Sequence, residues 1–262
     1  MRVNGKDCSE FKIGDRVACF SKYEGQAELI NFPERYLVRV PDGVDGRTAV
    51  ALILDWVTAY QLLHRAAHVT AGQKIFVHAL SGAVGGALLR LGQLLGAQVF
   101  GTASLKRHDE LRQLGAVPFD YSTKNWIAAI RELGGVDAVF DPLGFESFDE
   151  SYSVLKKGGV LVGYGMNLSA WTRTPERPVI PSALKLLSKN LLFWSGKRTT
   201  FFGVNRGSKN FAPDLEQLFE WLKEGTILVP VKATFKLDEI QQAHREYASG
   251  ARMGSIVIEV SR

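Results

Sequence analysis

Two cysteines in 262 residues are too few for a disulfide framework and too few for a four-thiolate zinc site. No apolar run reaches the roughly 18 residues that a membrane-spanning helix needs. The opening residues, MRVNGKDCSEFKIGDRV, lack the apolar stretch of a secretory leader and the Arg/Ser-rich pattern of a transit peptide. A strong charge bias is missing too. Lys+Arg at 32 against Asp+Glu at 27 gives a net +5, a mild preference for anionic ligands that does not call for nucleic acid. What is present is a hydrophobic fraction of 46%, enough for a buried core and incompatible with global disorder. The length suits one large domain or two ordinary ones. These features fit a protein of the reducing cytoplasm.

The first part of the chain has short β signals, GDRVACF and ERYLVRVP, closed by the turn Pro41-Asp42-Gly43. From Arg47 an apolar pattern at helical spacing predicts two consecutive helices. A regular alternation follows. Strands are expected at Lys74–Ala79, Gln98–Thr102, Val136–Asp141 and Val160–Tyr164. Helices are expected at Ala83–Gly96, Arg107–Leu114, Trp126–Leu133 and Phe148–Leu155. Such alternation predicts an α/β fold with a doubly wound parallel sheet. A helix at Ser182–Ser188 and a strand at Leu191–Trp194 would extend it. After a helix at Leu215–Lys223 the chain returns to β character in VKATF, then a helix at Leu237–Ser249 and a last strand at Ser255–Val260.

The strongest chemical motif is Val77-His78-Ala79-Leu80-Ser81-Gly82-Ala83-Val84-Gly85-Gly86, set between an expected strand and an expected helix. This is the context of a dinucleotide fingerprint, with Ala79 in place of the usual first glycine. Glycines there allow a tight turn and let a pyrophosphate approach free N–H groups at the positive helix end. A tight turn in another doubly wound protein, such as a methyltransferase, is the competing reading. The end of the next strand discriminates between cofactors. An acid there would bind the ribose hydroxyls of NAD. This chain instead has Thr102, Ser104, Lys106 and Arg107, hydroxyls and cations that suit the 2′-phosphate of NADPH. The alternative is a solvated basic helix start. Cations at a helix N-terminus oppose its dipole, which favours an anion nearby.

With these residues in view, the chain resembles the medium-chain dehydrogenase/reductase superfamily in its zinc-independent quinone oxidoreductase branch. The matching blocks are GDRV at Gly14–Val17, VTAYQLL at Val57–Leu63, VHALSGAVGGA at Val77–Ala87, VFGTAS at Val99–Ser104, VDAVFDPLG at Val136–Gly144, LKKGGVLVGYG at Leu155–Gly165 and the closing AH…GSIVIEV. VFGTAS, DPLG and YGMN are most similar to the vesicle-amine-transport-protein-like members. The resemblance implies a Rossmann NADPH-binding domain at 51–226 and a partial GroES-like β domain formed by both chain ends, 1–50 and 227–262. It implies cofactor contacts at Thr58, at Ser81, Gly82, Ala83 and Val84, and at Thr102, Ser104 and Arg107, with Lys106 as the second cation. It adds Tyr121 near the adenosine, Leu143 and Gly165 after later strands, and Phe202 and Gly203 beside the nicotinamide. The activity implied is metal-independent reduction of a quinone or an α,β-unsaturated carbonyl by hydride from NADPH. A homodimer through the edge of the Rossmann sheet is also implied.

Three departures qualify the match. Family members carry several strands before the GDRV block that are not found here, so the alternative is an NADPH-binding protein of impaired catalysis: an inactive paralogue, a sensor or a partner subunit. Ser255 stands where many members have Lys. Leu54 stands four residues before Thr58, where zinc-dependent relatives have a Cys ligand, so no metal is expected. Ser151-Tyr152-x-x-x-Lys156 imitates a short-chain dehydrogenase pair but is read as helix packing. His78 is read as a satisfied buried imidazole. No residue stands out as a proton donor, and the catalytic residues are left unknown.

Overall fold

The computed structural model describes residues 5–6, 8–169, 175, 177–249 and 253–260. They fall into two compact units, Met1–Thr58 with Val204–Arg262, and Ala59–Gly203.

In the first unit β1 (Val17–Cys19) pairs antiparallel with β2 (Leu37–Arg39), the small sheet of a GroES-like part. Helix α1 (Gly46–Ala51) starts at Asp45, whose carboxylate accepts from the backbone N–H groups of Arg47 and Thr48. Helical turns continue through Leu52–Trp56 and α2 (Val57–Gln61), within which the chain passes into the second unit, to Leu62–Ala67. His68, at φ 53°, ends them. The two expected helices are thus one run, because no glycine or proline interrupts Ala51–Ala67.

The second unit alternates β3 (Lys74–Val77), α3 (Ala83–Leu94), β4 (Gln98–Ala103), α4 (His108–Gln113), β5 (Val117–Asp120), α5 (Asn125–Glu132), β6 (Val136–Asp141), α6 (Glu146–Ser153), β7 (Leu155–Gly163), α7 (Val179–Ser188) and β8 (Arg198–Phe201). The strands form one parallel sheet of six in the order β5-β4-β3-β6-β7-β8. Chain order reverses between β3 and β6, so the crevice at their carboxyl ends is the topological switch point. Central strands read as continuous apolar runs because helices cover both faces. Ile75, Phe76, Val77, Val139, Phe140, Leu161 and Val162 are wholly buried. Phe76 stacks on Trp126 of α5 at 4.7 Å between ring centres.

One strand expectation is overturned. Leu191–Trp194 does not form the sheet edge. It lies in 3-10 turns at Lys189–Leu191 and Phe193–Ser195, and the edge strand is β8. The Asn190 side chain explains this. Its oxygen accepts the Thr199 N–H at 2.7 Å and its nitrogen donates to the Thr199 carbonyl at 2.8 Å. The amide therefore stands beside β8 where a neighbouring strand would, and Gly196, at φ 63°, reverses the chain between them. Leu191, Phe193 and Trp194 are left exposed on this flank.

The chain then rejoins the first unit with α8 (Phe211–Lys223), β9 (Val231–Lys236), α9 (Ile240–Ser249) and β10 (Ser255–Glu259), β9 and β10 pairing in parallel. Phe211 stacks on Phe20 at 6.1 Å. The Arg206 guanidinium donates to the carbonyls of Phe20 and Ser21 at 3.0 and 2.8 Å. The loop after β1 borders a cavity of about 620 Å³, whose lining includes Phe20, Ile53 and Leu54 together with Lys22, Glu24 and Gln26. Burial raises the Cys19 thiol above its ordinary range, with Arg206 acting against it. Among the described residues no helix is long and apolar enough to cross a membrane.

Ser255, the departure noted above, meets Asp55. Its hydroxyl donates to the carboxylate at 3.3 Å, a weak partner for a charge that burial pushes up to a pKa of about 6. A carboxyl whose pKa rises on folding destabilises the protein in full above the folded value and not at all below the unfolded one. Asp55→Asn keeps an acceptor for Ser255 and removes the charge. It should raise stability at pH 8 by on the order of 2 kcal/mol. That gain should fade as pH falls from 6 towards 4, which urea denaturation across this range will show. A gain equal at both ends would contradict the burial account.

Candidate functional site

The candidate site lies at the carboxyl ends of the parallel strands in the second unit. Its centre is the turn from β3 to α3. Ala79, at φ 56°, takes the left-handed conformation that the family's glycine would adopt freely. The Gly82 N–H donates to the Ala79 carbonyl at 2.8 Å, and the Leu80 N–H donates to the Thr102 carbonyl at 2.9 Å. Gly82 is the N-cap of α3 and supplies no side-chain cap to the first helical turn at Ala83 and Val84. Gly85 is required by contact distance. A Cβ there would lie 2.2 Å from the Ala79 carbonyl oxygen. N–H groups without a side-chain cap on a positive helix end fit the pyrophosphate of a dinucleotide.

Several expected residues lie in or beside the segments that follow the carboxyl ends of strands in the same sheet. Ser81, Ala83 and Val84 are partly exposed and Gly82 is exposed. Tyr121 follows β5 and is exposed. Its N–H donates to the Ala103 carbonyl at the end of β4, at 3.1 Å. Ser104 precedes a turn of 3-10 helix holding Lys106 and Arg107. Lys106 is exposed, while the Arg107 guanidinium pairs with Glu110 at 3.1 Å. Asp109 and Glu110 in the first turn of α4 complement the helix dipole beside these cations. The segments holding Leu143 and Gly165 run together: a Cβ at Gly165 would lie 2.6 Å from the Pro142 carbonyl oxygen, and the Asn167 and Leu168 N–H groups donate to the carbonyls of Pro142 and Leu143 at 3.0 and 2.9 Å. The Phe202 N–H donates to the Gly163 carbonyl at 2.7 Å, and Gly203 follows it exposed. Thr58 belongs to the other unit and is buried there.

Thr102 differs from its neighbours. It is buried, and its hydroxyl faces inward to His78 Nδ1 at 3.1 Å. His78 Nε2 lies 3.0 Å from the Ser151 hydroxyl. Ser151 and Ser147 both donate to Asp141 Oδ2 at 2.7 Å. The other Asp141 oxygen accepts the N–H groups of Leu143 and Gly144 at 2.7 and 3.2 Å. His78 is therefore the satisfied imidazole expected, within a network that sequence reasoning did not find. The short-chain dehydrogenase imitation dissolves. Tyr152 bonds the Ser195 hydroxyl at 2.8 Å, and Lys156 pairs with Asp137 at 2.6 Å. Among the described residues no three His, Cys, Asp or Glu side chains are grouped as metal ligands.

A six-stranded doubly wound sheet with a glycine turn at its switch point, together with a small antiparallel sheet, defines the class: a Rossmann α/β fold with a GroES-like part. The match to known proteins is more specific. Residues 114–258 match the zinc-binding dehydrogenase family. The chain is 31% identical to a quinone oxidoreductase of Pseudomonas aeruginosa over 261 residues, 97% of this chain and 77% of that one. It is 33% identical to the human synaptic vesicle membrane protein VAT-1 homolog over 199 residues, 71% of this chain and 51% of that one. A mycobacterial protein solved in complex with NADPH superposes with a TM-score of 0.78 at 27% identity, over 95% of this chain and 76% of that one. The chain belongs to the zinc-binding dehydrogenase family, in the quinone oxidoreductase group of the medium-chain dehydrogenase/reductases. It spans about half the length of its VAT-1 relatives.

Proposed function

We propose that this protein binds NADPH and is a metal-independent oxidoreductase acting on quinones or α,β-unsaturated carbonyls. The observation that carries the reading is the turn at Ser81–Val84, whose helix N-terminus has no side-chain cap, set at the switch point of a family-typical sheet. Bound NADPH would supply a hydride for an electron-poor double bond or a quinone. The turn would hold the pyrophosphate through backbone N–H groups. Ser104, Lys106 and Arg107 would take the 2′-phosphate, and Tyr121 would pack at the adenosine. Leu143 and Gly165 would lie near the adenosine and nicotinamide, Phe202 and Gly203 would run past the nicotinamide amide, and Thr58 would be a further cofactor contact. The central segment is then the nucleotide domain, and the two chain ends build the substrate side. The cavity beside Ile53 and Leu54 is the substrate site in this reading, its lining combining apolar Phe20, Val50, Ile53 and Leu54 with polar Ser21, Lys22, Glu24 and Gln26. A second copy of the chain would meet the exposed flank at Leu191, Phe193 and Trp194. The location that fits this reading is cytoplasmic.

Fluorescence titration with NADPH and NADH, followed by NADPH oxidation with a simple quinone and a simple enone, tests the reading. Arg107→Ala is expected to weaken NADPH about tenfold and to leave NADH within about twofold, because only NADPH carries the 2′-phosphate. Equal weakening of both would remove Arg107 from the 2′-phosphate. Absence of turnover with either acceptor would count against the activity.

A further inference from the structure

Below the crevice rim lies the buried polar chain from Thr102 to Asp141, which the proposed function does not use. The order of its protons follows from chemistry. A carboxylate only accepts, so the Ser151 hydroxyl gives its proton to Asp141 Oδ2. The Ser151 oxygen must then accept from the ring, and the 3.0 Å contact places a proton on His78 Nε2. The ring is neutral. Burial holds His78 below the ordinary histidine range, against the pull of Asp141 and Glu150, and Phe76 and Trp126 each meet it edge-on at 5.1 Å. Nδ1 is therefore bare and accepts the Thr102 hydroxyl. The Thr102 oxygen keeps a lone pair for the Ala79 N–H at 3.4 Å.

Both ends of this chain are backbone groups of the crevice. One is the Ala79 peptide, held in the left-handed conformation at the start of the glycine turn. The other is the Leu143–Gly144 segment on the far side of the switch point, bonded to Asp141. An apolar residue at position 78 would fill the same volume but could not transmit a direction from one wall to the other.

We propose that His78 is a positioning residue for the dinucleotide, holding the Ala79 turn and the Leu143–Gly144 loop in register through one fixed Nε2–H tautomer. The proposal rests on the NADPH reading above. His78 touches no cofactor atom and acts through Thr102 and Ser151. Because the turn grips the pyrophosphate common to both nucleotides, loosening it weakens NADPH and NADH alike. That pattern separates this role from a 2′-phosphate contact.

Nitrogen-15 NMR of the free protein reads the tautomer, the spectrum of His78→Gln identifying the His78 signals. A single neutral Nε2–H ring is expected. An Nδ1–H ring or a mixture of the two overturns the proposal. Ser151→Ala removes the link between ring and carboxylate. It is expected to release the ring into both tautomers and to raise the dissociation constants of NADPH and NADH by a similar factor of about ten. Circular dichroism checks that its fold is kept. If Ser151→Ala does not fold, His78→Gln carries the same expectation for binding, since it keeps a donor towards Ser151 and gives up the acceptor for Thr102. Unchanged nucleotide affinity overturns the positioning role and leaves the cofactor reading standing. A wild-type protein that binds no NADPH overturns both.

Discussion

Gly85→Ala is expected to cost about 3 kcal/mol of stability or more and to abolish measurable nucleotide binding, although only one methyl group is added. The Cβ would sit 2.2 Å from the Ala79 carbonyl oxygen and 2.9 Å from two backbone atoms of Leu80. Backbone atoms cannot swing aside as a side-chain tip can. Either α3 lifts from the sheet or the turn opens, and both destroy the approach to the helix N-terminus. Gly92→Ala, about two turns further along the same face of α3, is the control. Its Cβ would meet Ile75 Cδ1 at 2.9 Å and Val99 Cγ2 at 3.3 Å, side-chain ends able to rotate. It should cost about 1 kcal/mol and leave binding intact. Urea denaturation with NADPH titration compares the two, and equal losses would refute the distinction.

Asp141→Ala is expected to cost about 3–5 kcal/mol, because the carboxylate is wholly buried and accepts from two hydroxyls and two backbone N–H groups. Removing it strands donors that water cannot reach. Asp141→Asn should cost about 1–2 kcal/mol. Its oxygen can still serve Leu143 and Gly144, and its NH₂ can donate to Ser147 and Ser151 once their hydroxyls turn. The ratio of the two costs is the informative quantity. An alanine variant no worse than the asparagine variant would show that the donors find other partners.

The alternation of strands and helices was legible because β3, β4, β6 and the end of β7 are short apolar runs separated by helical stretches. Two strands escaped. β5 contains Pro118, which argues against a central strand, yet β5 lies at the sheet edge, where a missing N–H is tolerated. β8, with the sequence RTTF, is less apolar than the LLFW run just before it, so hydrophobicity pointed to the wrong segment. The glycine turn could be read from its spacing alone. The Asp141 network could not, since His78 and Ser151 are 73 residues apart. A local trace of it existed. Ser147 and Ser151 are four residues apart, so they share a face of α6 just after the strand that ends in Asp141. Thr102 shows the limit of motif reading. Its position in the chain suited a phosphate, but strand register turned its hydroxyl inward.

The Asn190 amide has a bearing on how the chain behaves when crowded. An open outermost strand is a template on which any extended polypeptide can polymerise. At Thr199 both backbone groups are already engaged by that one side chain, so the template is blunted at its middle. Association on this flank must then discriminate by the contours of Leu191, Phe193 and Trp194. A specific companion can satisfy those contours, and an arbitrary unfolded strand cannot.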